Sequence, residues 1–194
     1  MQLKGTQLPG LLARASREGR LAPLWVITGD EPLLVIEAAD AIRATARALG
    51  YAEREVLTLE ARSDWSPLAE AAAGLSLFAS RKLIELRLPS GKPGKAGAEA
   101  LERHATSVCE DVVTVLSLPR LDRAARESRW FTALAGAGQV VEIFPVARTE
   151  LPAWIGERLR RQGQSATAEA LEFIADRVEG NLLAAHQEIG KLGL

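Results

Sequence analysis

The stretch Leu24-Trp25-Val26-Ile27-Thr28-Gly29-Asp30-Glu31-Pro32 decides the fold. A short apolar run, rich in β-branched residues and halted by a glycine, describes a buried strand. Asp30 is suited to cap a following helix, and Pro32 to its first turn, where a missing N–H costs nothing. Leu34, Ala38, Ala41, Ile42, Thr45 and Leu49 then share one helical face, and Gly50 closes the helix. The chain goes strand, tight turn, helix.

Outward from that unit the pattern repeats. Residues 53–59 read as a second strand, and Ser66-Pro67 opens a helix that Gly74 ends. A third strand covers Leu83 to Leu88, followed by the solvated loop Pro89-Ser90-Gly91-Lys92-Pro93-Gly94-Lys95. After a helix over 96–105 come a strand at Val112 to Leu116, a helix over 122–134 and a fifth strand at Val140 to Ile143. Strands alternating with helices imply parallel pairing and right-handed crossovers, hence a doubly wound α/β sheet. Beyond Phe144-Pro145 the segments at 151–161, 168–178 and 182–192 all have helical periodicity. The expected organisation is an α/β domain over 1–145 and a small helical bundle over 146–194.

Composition agrees and narrows the function classes. Of 194 residues, 33 are Ala and 29 are Leu against 5% aromatics, which favours helix over an all-β sandwich. A net charge of −1 excludes a chain that is basic throughout, though local basic patches remain open. Cys109 is alone, which excludes an internal disulfide and a cysteine zinc site. The apolar runs fall short of the ~18–20 residues of a membrane span, and Met1 to Thr6 lacks a signal-peptide core. A cytoplasmic, soluble protein without membrane partners is the expectation.

No catalytic constellation emerges. A phosphate loop needs G-x-x-x-x-G-K-[ST], but the residues after Gly29 supply no second Gly, no Lys and no hydroxyl. Asp30 and Glu31 would set negative charge where phosphates belong. His104 and His186 are isolated and read as surface or helix-face residues, so no metal site and no cofactor are expected. Gly74-Leu75-Ser76-Leu77-Phe78 lacks the final glycine of a nucleophile elbow. Arg120, Arg123, Arg126 and Arg129 spiral around a helix and form no single stripe. Lys82, Arg87, Lys92 and Lys95 define an alternative reading as a nucleic-acid module, and a degenerate nucleotide-binding loop defines another.

The element Leu75, Ser76, Leu77 and Phe78 is the most informative local feature. Adjacent Leu and Phe cannot both enter one core from regular structure, because neighbours diverge on helices and strands alike. Core packing at a helix–strand junction and an exposed plug for a partner's pocket both remain open.

Taken in order, several segments resemble the delta subunit of the bacterial DNA polymerase III clamp loader. They are Gly29 to Leu34 with Glu37 and Asp40, Ser76 to Arg87, Pro89 to Gly94, Leu121 to Ala124 with Trp130-Phe131, and Glu179 to Ala185. The resemblance implies a RecA-like, AAA+-type parallel sheet domain followed by a helical lid, and a subunit that does not hydrolyse ATP. Leu183 would stand where active relatives carry a nucleotide-sensing arginine. The family's subunit opens the ring-shaped sliding clamp, the beta subunit, through a Gln-Leu-Ser-Leu-Phe-like element. Here that element would be Gly74 to Phe78, with Leu77 and Phe78 as the plug and Gly74 in place of Gln. Other clamp-loader subunits are implied partners, through the AAA+-like domain and through a C-terminal collar domain that has no counterpart in these 194 residues. On this reading the chain is a fragment, and any DNA contact is indirect.

Overall fold

The strand expected at 24–28 forms as Leu24–Gly29, and all six of its residues are buried because it lies inside a sheet. The computed structural model describes residues 2–73, 81–178 and 180–191. Among them the sheet has six strands, β1 (Gln2–Lys4), β2 (Leu24–Gly29), β3 (Glu53–Thr58), β4 (Lys82–Arg87), β5 (Val112–Leu118) and β6 (Gln139–Ile143). Every pairing is parallel, in the order β1-β6-β2-β5-β4-β3.

Side-chain alternation splits the sheet's two faces between two cores. On one face Trp25, Ile27, Leu83, Val113 and Val141 meet α1 (Leu8–Glu18) and α2 (Pro32–Ala48). Ala38, Ile42 and Ala46 form the buried stripe of α2, spaced four residues apart. On the other face Val26, Ile84, Leu86 and Leu116 meet α3 (Ser66–Ala73), α4 (Gly94–Thr106), α5 (Arg123–Arg126) and α6 (Arg129–Ala137). Fully burying each large apolar side chain stabilises the fold by about 1.5–3 kcal/mol before entropy is counted.

Two expectations need correction. The sequence pattern announces five strands from Leu24 onward, but β1 and α1 precede them. β1 is three residues long and its buried position is Leu3 alone, so it carries no alternation to detect. The helix expected over 122–134 is two helices. Asp122 caps α5 by accepting from the Ala125 N–H, the chain turns at Glu127, and α6 starts anew after Ser128. The four arginines therefore do not share one helix axis. Arg123 pairs with Glu127, Arg126 with Glu142 and Arg129 with Glu102.

The chain divides into two compact units. Met1–Asp30 and Leu34–Phe144 form the first, while Glu31–Leu33 and Pro145–Leu194 form the second. The second contains α7 (Leu151–Arg161), α8 (Ala168–Val178) and α9 (Leu182–Lys191). Leu151, Ile155 and Leu159 give α7 a buried stripe, and Leu182, Ala185 and Ile189 do so for α9. Among the described residues no helix is long and apolar enough to cross a membrane.

Candidate functional site: the two ends of the parallel sheet

A parallel α/β sheet offers a ligand crevice where strand order reverses, beyond the carboxyl ends of the strands. Here that place lies between β2 and its neighbours β5 and β6. Gly29 is needed there for close approach: a Cβ on it would stand 2.4 Å from the Ile143 carbonyl oxygen. The Thr28 hydroxyl donates to the Pro119 carbonyl at 2.9 Å, and the Arg120 N–H donates to the Asp30 carboxylate at 3.1 Å. These bonds tie the ends of β2 and β5 together.

Asp30 is thus not the helix cap that the sequence suggested. α2 begins at Pro32, so the capping position is Glu31, whose carboxylate accepts the Leu33 N–H. Burial raises the Glu31 pKa, and that hydrogen bond opposes the rise. The remaining recess, lined by Thr28, Arg120, Leu121, Arg126, Glu142 and nearby residues, encloses about 30 Å³. Ligand pockets run to roughly 300–1,000 Å³. Asp30 and Glu31 place carboxylates at this turn.

The opposite end of the sheet holds the connection from α3 to β4. The sequence-predicted contact residues Leu75, Ser76, Leu77 and Phe78 belong to that connection and lie outside the described residues. Its two feet, α3 and the start of β4, are described. On the first foot Leu68 and Ala71 bury α3, and Trp65 closes against Gly97, where an added Cβ would fall 2.4 Å from the indole. The Ser66 N–H and hydroxyl both donate to the Asp64 carboxylate and hold its pKa down.

On the second foot Arg81 donates to the Leu49 carbonyl at 2.8 Å, and its guanidinium lies 5.3 Å from the Tyr51 ring centroid. Lys82, 4% exposed, pairs with Glu55 at 2.7 Å and Glu53 at 3.5 Å. Burial alone would lower its pKa, but those carboxylates raise it. Lys82 therefore cannot serve as the phosphate contact of the nucleic-acid reading. Arg87, Lys92 and Lys95 are exposed. Beside the first foot, a hollow of about 890 Å³ runs between α3 and α4, with Ala72, Ala73 and Ala100 in its wall.

His104 also needs correction. It is 6% exposed and its Nε2 lies 2.9 Å from the Thr114 hydroxyl, so it belongs to the core, where burial lowers its pKa. Among the described residues no cluster of His, Cys, Asp and Glu could hold a metal ion. In the helical unit the Asn181 side chain caps α9 by accepting the Ala184 N–H at 2.9 Å, while Leu183 is 47% exposed.

Residues 25–144, more than half of the chain, match the family described as DNA polymerase III, delta subunit. The chain belongs to that family. The delta subunit of Escherichia coli DNA polymerase III is 30% identical over 181 residues, covering 93% of this chain and 53% of that protein. The Haemophilus influenzae delta subunit is 26% identical, covering 90% and 51%. The chain thus spans about half the length of these delta relatives. Among solved structures, the Bacillus subtilis DNA clamp loader delta protein matches with a TM-score of 0.64 and 22% identity, over 95% of this chain and 56% of that one. A RuvB variant from Thermotoga maritima matches at 0.58 and 17%, over 95% and 59%. At such identities the structural likenesses speak for the fold alone, and that fold is the RecA-like, AAA+ type.

Proposed function

We propose that this chain is the clamp-binding part of a clamp-loader delta subunit, working in the cytoplasm as an accessory to a replicative polymerase. It binds the sliding clamp through Leu75, Ser76, Leu77 and Phe78 and helps to open the ring for loading onto DNA. It does not hydrolyse ATP, and it meets the other loader subunits through its AAA+-like domain. The observation that carries this reading is the family match over residues 25–144, which encloses the α3–β4 connection. The β4 side of that connection supports it, where Arg81 is held by the Leu49 carbonyl and Lys82 by Glu53 and Glu55, because a recognition segment anchored at its base loses less entropy on binding.

Burying Leu77 and Phe78 in a partner's pocket is worth roughly 3–6 kcal/mol gross, much of it offset by rigid-body and ordering costs. A second contact must therefore contribute to springing the ring. The deciding experiment is equilibrium binding to the cognate sliding clamp, wild type beside Leu77→Ala/Phe78→Ala, with circular dichroism confirming that both fold. Binding lost in the folded variant is the expected result. Wild type that fails to bind, or binding indifferent to both substitutions, rejects the assigned contact.

A further inference from the structure

One face of the α/β unit is left bare beside α2. That helix covers Leu83 and Val113 through Ala38 and Ile42, and beyond it the edge strand β3 turns Arg54, Val56 and Thr58 to solvent. In register, Val56 lies beside Glu85 and Thr58 beside Arg87. Among the described residues no strand pairs with the outer side of β3.

Cations gather there around a nearly buried carboxylate. Glu85 accepts from Arg54 Nε at 2.7 Å, Arg54 Nη2 at 2.9 Å and Arg43 Nε at 2.6 Å, and Arg87 stands 3.9 Å away. Arg43 also bonds Asp40. Three guanidiniums face two carboxylates, which leaves an excess positive charge. The guanidinium side chains are 34%, 42% and 55% exposed for Arg43, Arg54 and Arg87, so part of each donor fork still faces water. Two apolar side chains of the same two elements are exposed, Val56 at 42%, beside Glu85, and Ile36 at 55% on α2. Ile36, Asp40 and Arg43 follow one another at helical spacing, so they share one stripe of α2, the one from which Arg43 reaches Glu85 of β4.

We propose that this face docks an extended acidic and apolar segment of a partner protein. Carboxylates of the segment meet Arg54 and Arg87, and its apolar side chains rest on Val56 and Ile36. Guanidinium forks match carboxylates in a bidentate fashion, and that of Arg54, already hydrogen-bonded to Glu85, loses little freedom on binding. The free side of β3 adds main-chain donors and acceptors for a peptide laid alongside it. Charged side chains commonly guard an edge strand against pairing, but an exposed Val at the centre of the strand works against that purpose. The apolar pair also favours peptide over nucleic-acid phosphate. This inference does not depend on the clamp contact, which lies on another connection.

Amide NMR titration of the whole chain tests it, with a short peptide alternating Glu and Ile as probe. The Lys-and-Ile counterpart and a thymidine oligonucleotide serve as the comparison arms. Saturable shifts centred on 36–43, 54–58 and Arg87 are expected for the acidic peptide, weakening as salt rises from about 0.05 to about 0.5 M. Affinity should drop about tenfold in Val56→Ser/Arg87→Glu, in keeping with the loss of an interface anchor. Should that variant fail to fold by circular dichroism, Arg87→Gln alone should still weaken binding. The proposal is overturned by absent or scattered shifts, by equal binding of the basic peptide, by binding of the oligonucleotide alone, or by variants that bind as wild type.

Discussion

β2 and β3 are both six residues long and belong to the same parallel sheet, yet they have opposite characters. β2 reads Leu-Trp-Val-Ile-Thr-Gly, is buried throughout and has strands on both sides. β3 reads Glu-Arg-Glu-Val-Leu-Thr, alternates half-buried with exposed, and has a partner on one side alone among the described residues. The central strand has no surface left for recognition, so its residues answer to packing. The edge strand contributes less to the core and instead holds charge in fixed places. Substitutions should therefore separate the two strands by their effect on stability and on acid sensitivity.

The largest effect belongs to the central strand. Trp25 is 1% exposed and its indole N–H donates to the Ala22 carbonyl at 2.8 Å. Trp25→Ala should cost about 3–5 kcal/mol, through lost burial and a cavity beside Ile27 and Val141. Urea unfolding followed by circular dichroism measures it. A loss under about 1 kcal/mol would mean that the strand is not the centre of the core.

A smaller effect is expected where the edge strand is tied to β4. Burial by itself would raise the Glu85 pKa, but hydrogen bonds and charge from Arg54 and Arg43 carry it below its ordinary 4.5. The sign follows from proton linkage. The unfolded chain binds the proton more tightly, so Glu85 stabilises the fold above about pH 4.5 and that contribution is lost as pH falls through the folded value. Glu85→Gln should cost about 1–3 kcal/mol at neutral pH, since the guanidiniums are partly solvated. It should also flatten the loss of stability between about pH 5 and 3. Unfolding midpoints measured along that range decide the matter, and an unchanged slope would sink the assignment.

The same contrast explains what could be read in advance. β2 declares itself because burial on both faces leaves a continuous apolar run, and Gly29-Asp30-Glu31-Pro32 marks the turn into α2. β1 is invisible because one buried leucine in three residues has no period. The Asp122-to-Leu134 segment looks continuous because its apolar spacing survives the break, which falls at Glu127-Ser128, where the Ser128 hydroxyl donates back to the Ala125 carbonyl. Lys82 and His104 look like surface chemistry, since burial comes from partners at Glu53, Glu55 and Thr114 that no local pattern announces. The Glu85 cluster is hidden for the same reason: its arginines lie 31 and 42 positions away. For the proposed clamp contact at Gly74 to Phe78, which lies outside the described residues, the reading comes from an ordered family resemblance in the sequence.

The smallest expected effect sharpens the comparison most. Val56 is apolar, β-branched and central in its strand, so by residue type alone it resembles Val26 of β2. Its surroundings differ: Val26 is fully buried, whereas Val56 is 42% exposed beside Arg54 and Glu85. Val56→Ser should therefore change folding stability by less than about 1 kcal/mol, the usual range of about 0.5 kcal/mol for surface positions together with the lower strand propensity of Ser. Val26→Ser would remove a buried side chain and strand a hydroxyl in the core, a far larger loss. Parallel urea titrations of the two variants make the test. If Val56→Ser unfolds the protein as readily as Val26→Ser does, the bare face of β3 is part of the core and cannot be a docking surface. If it leaves stability untouched, that valine is available for contacts outside the fold.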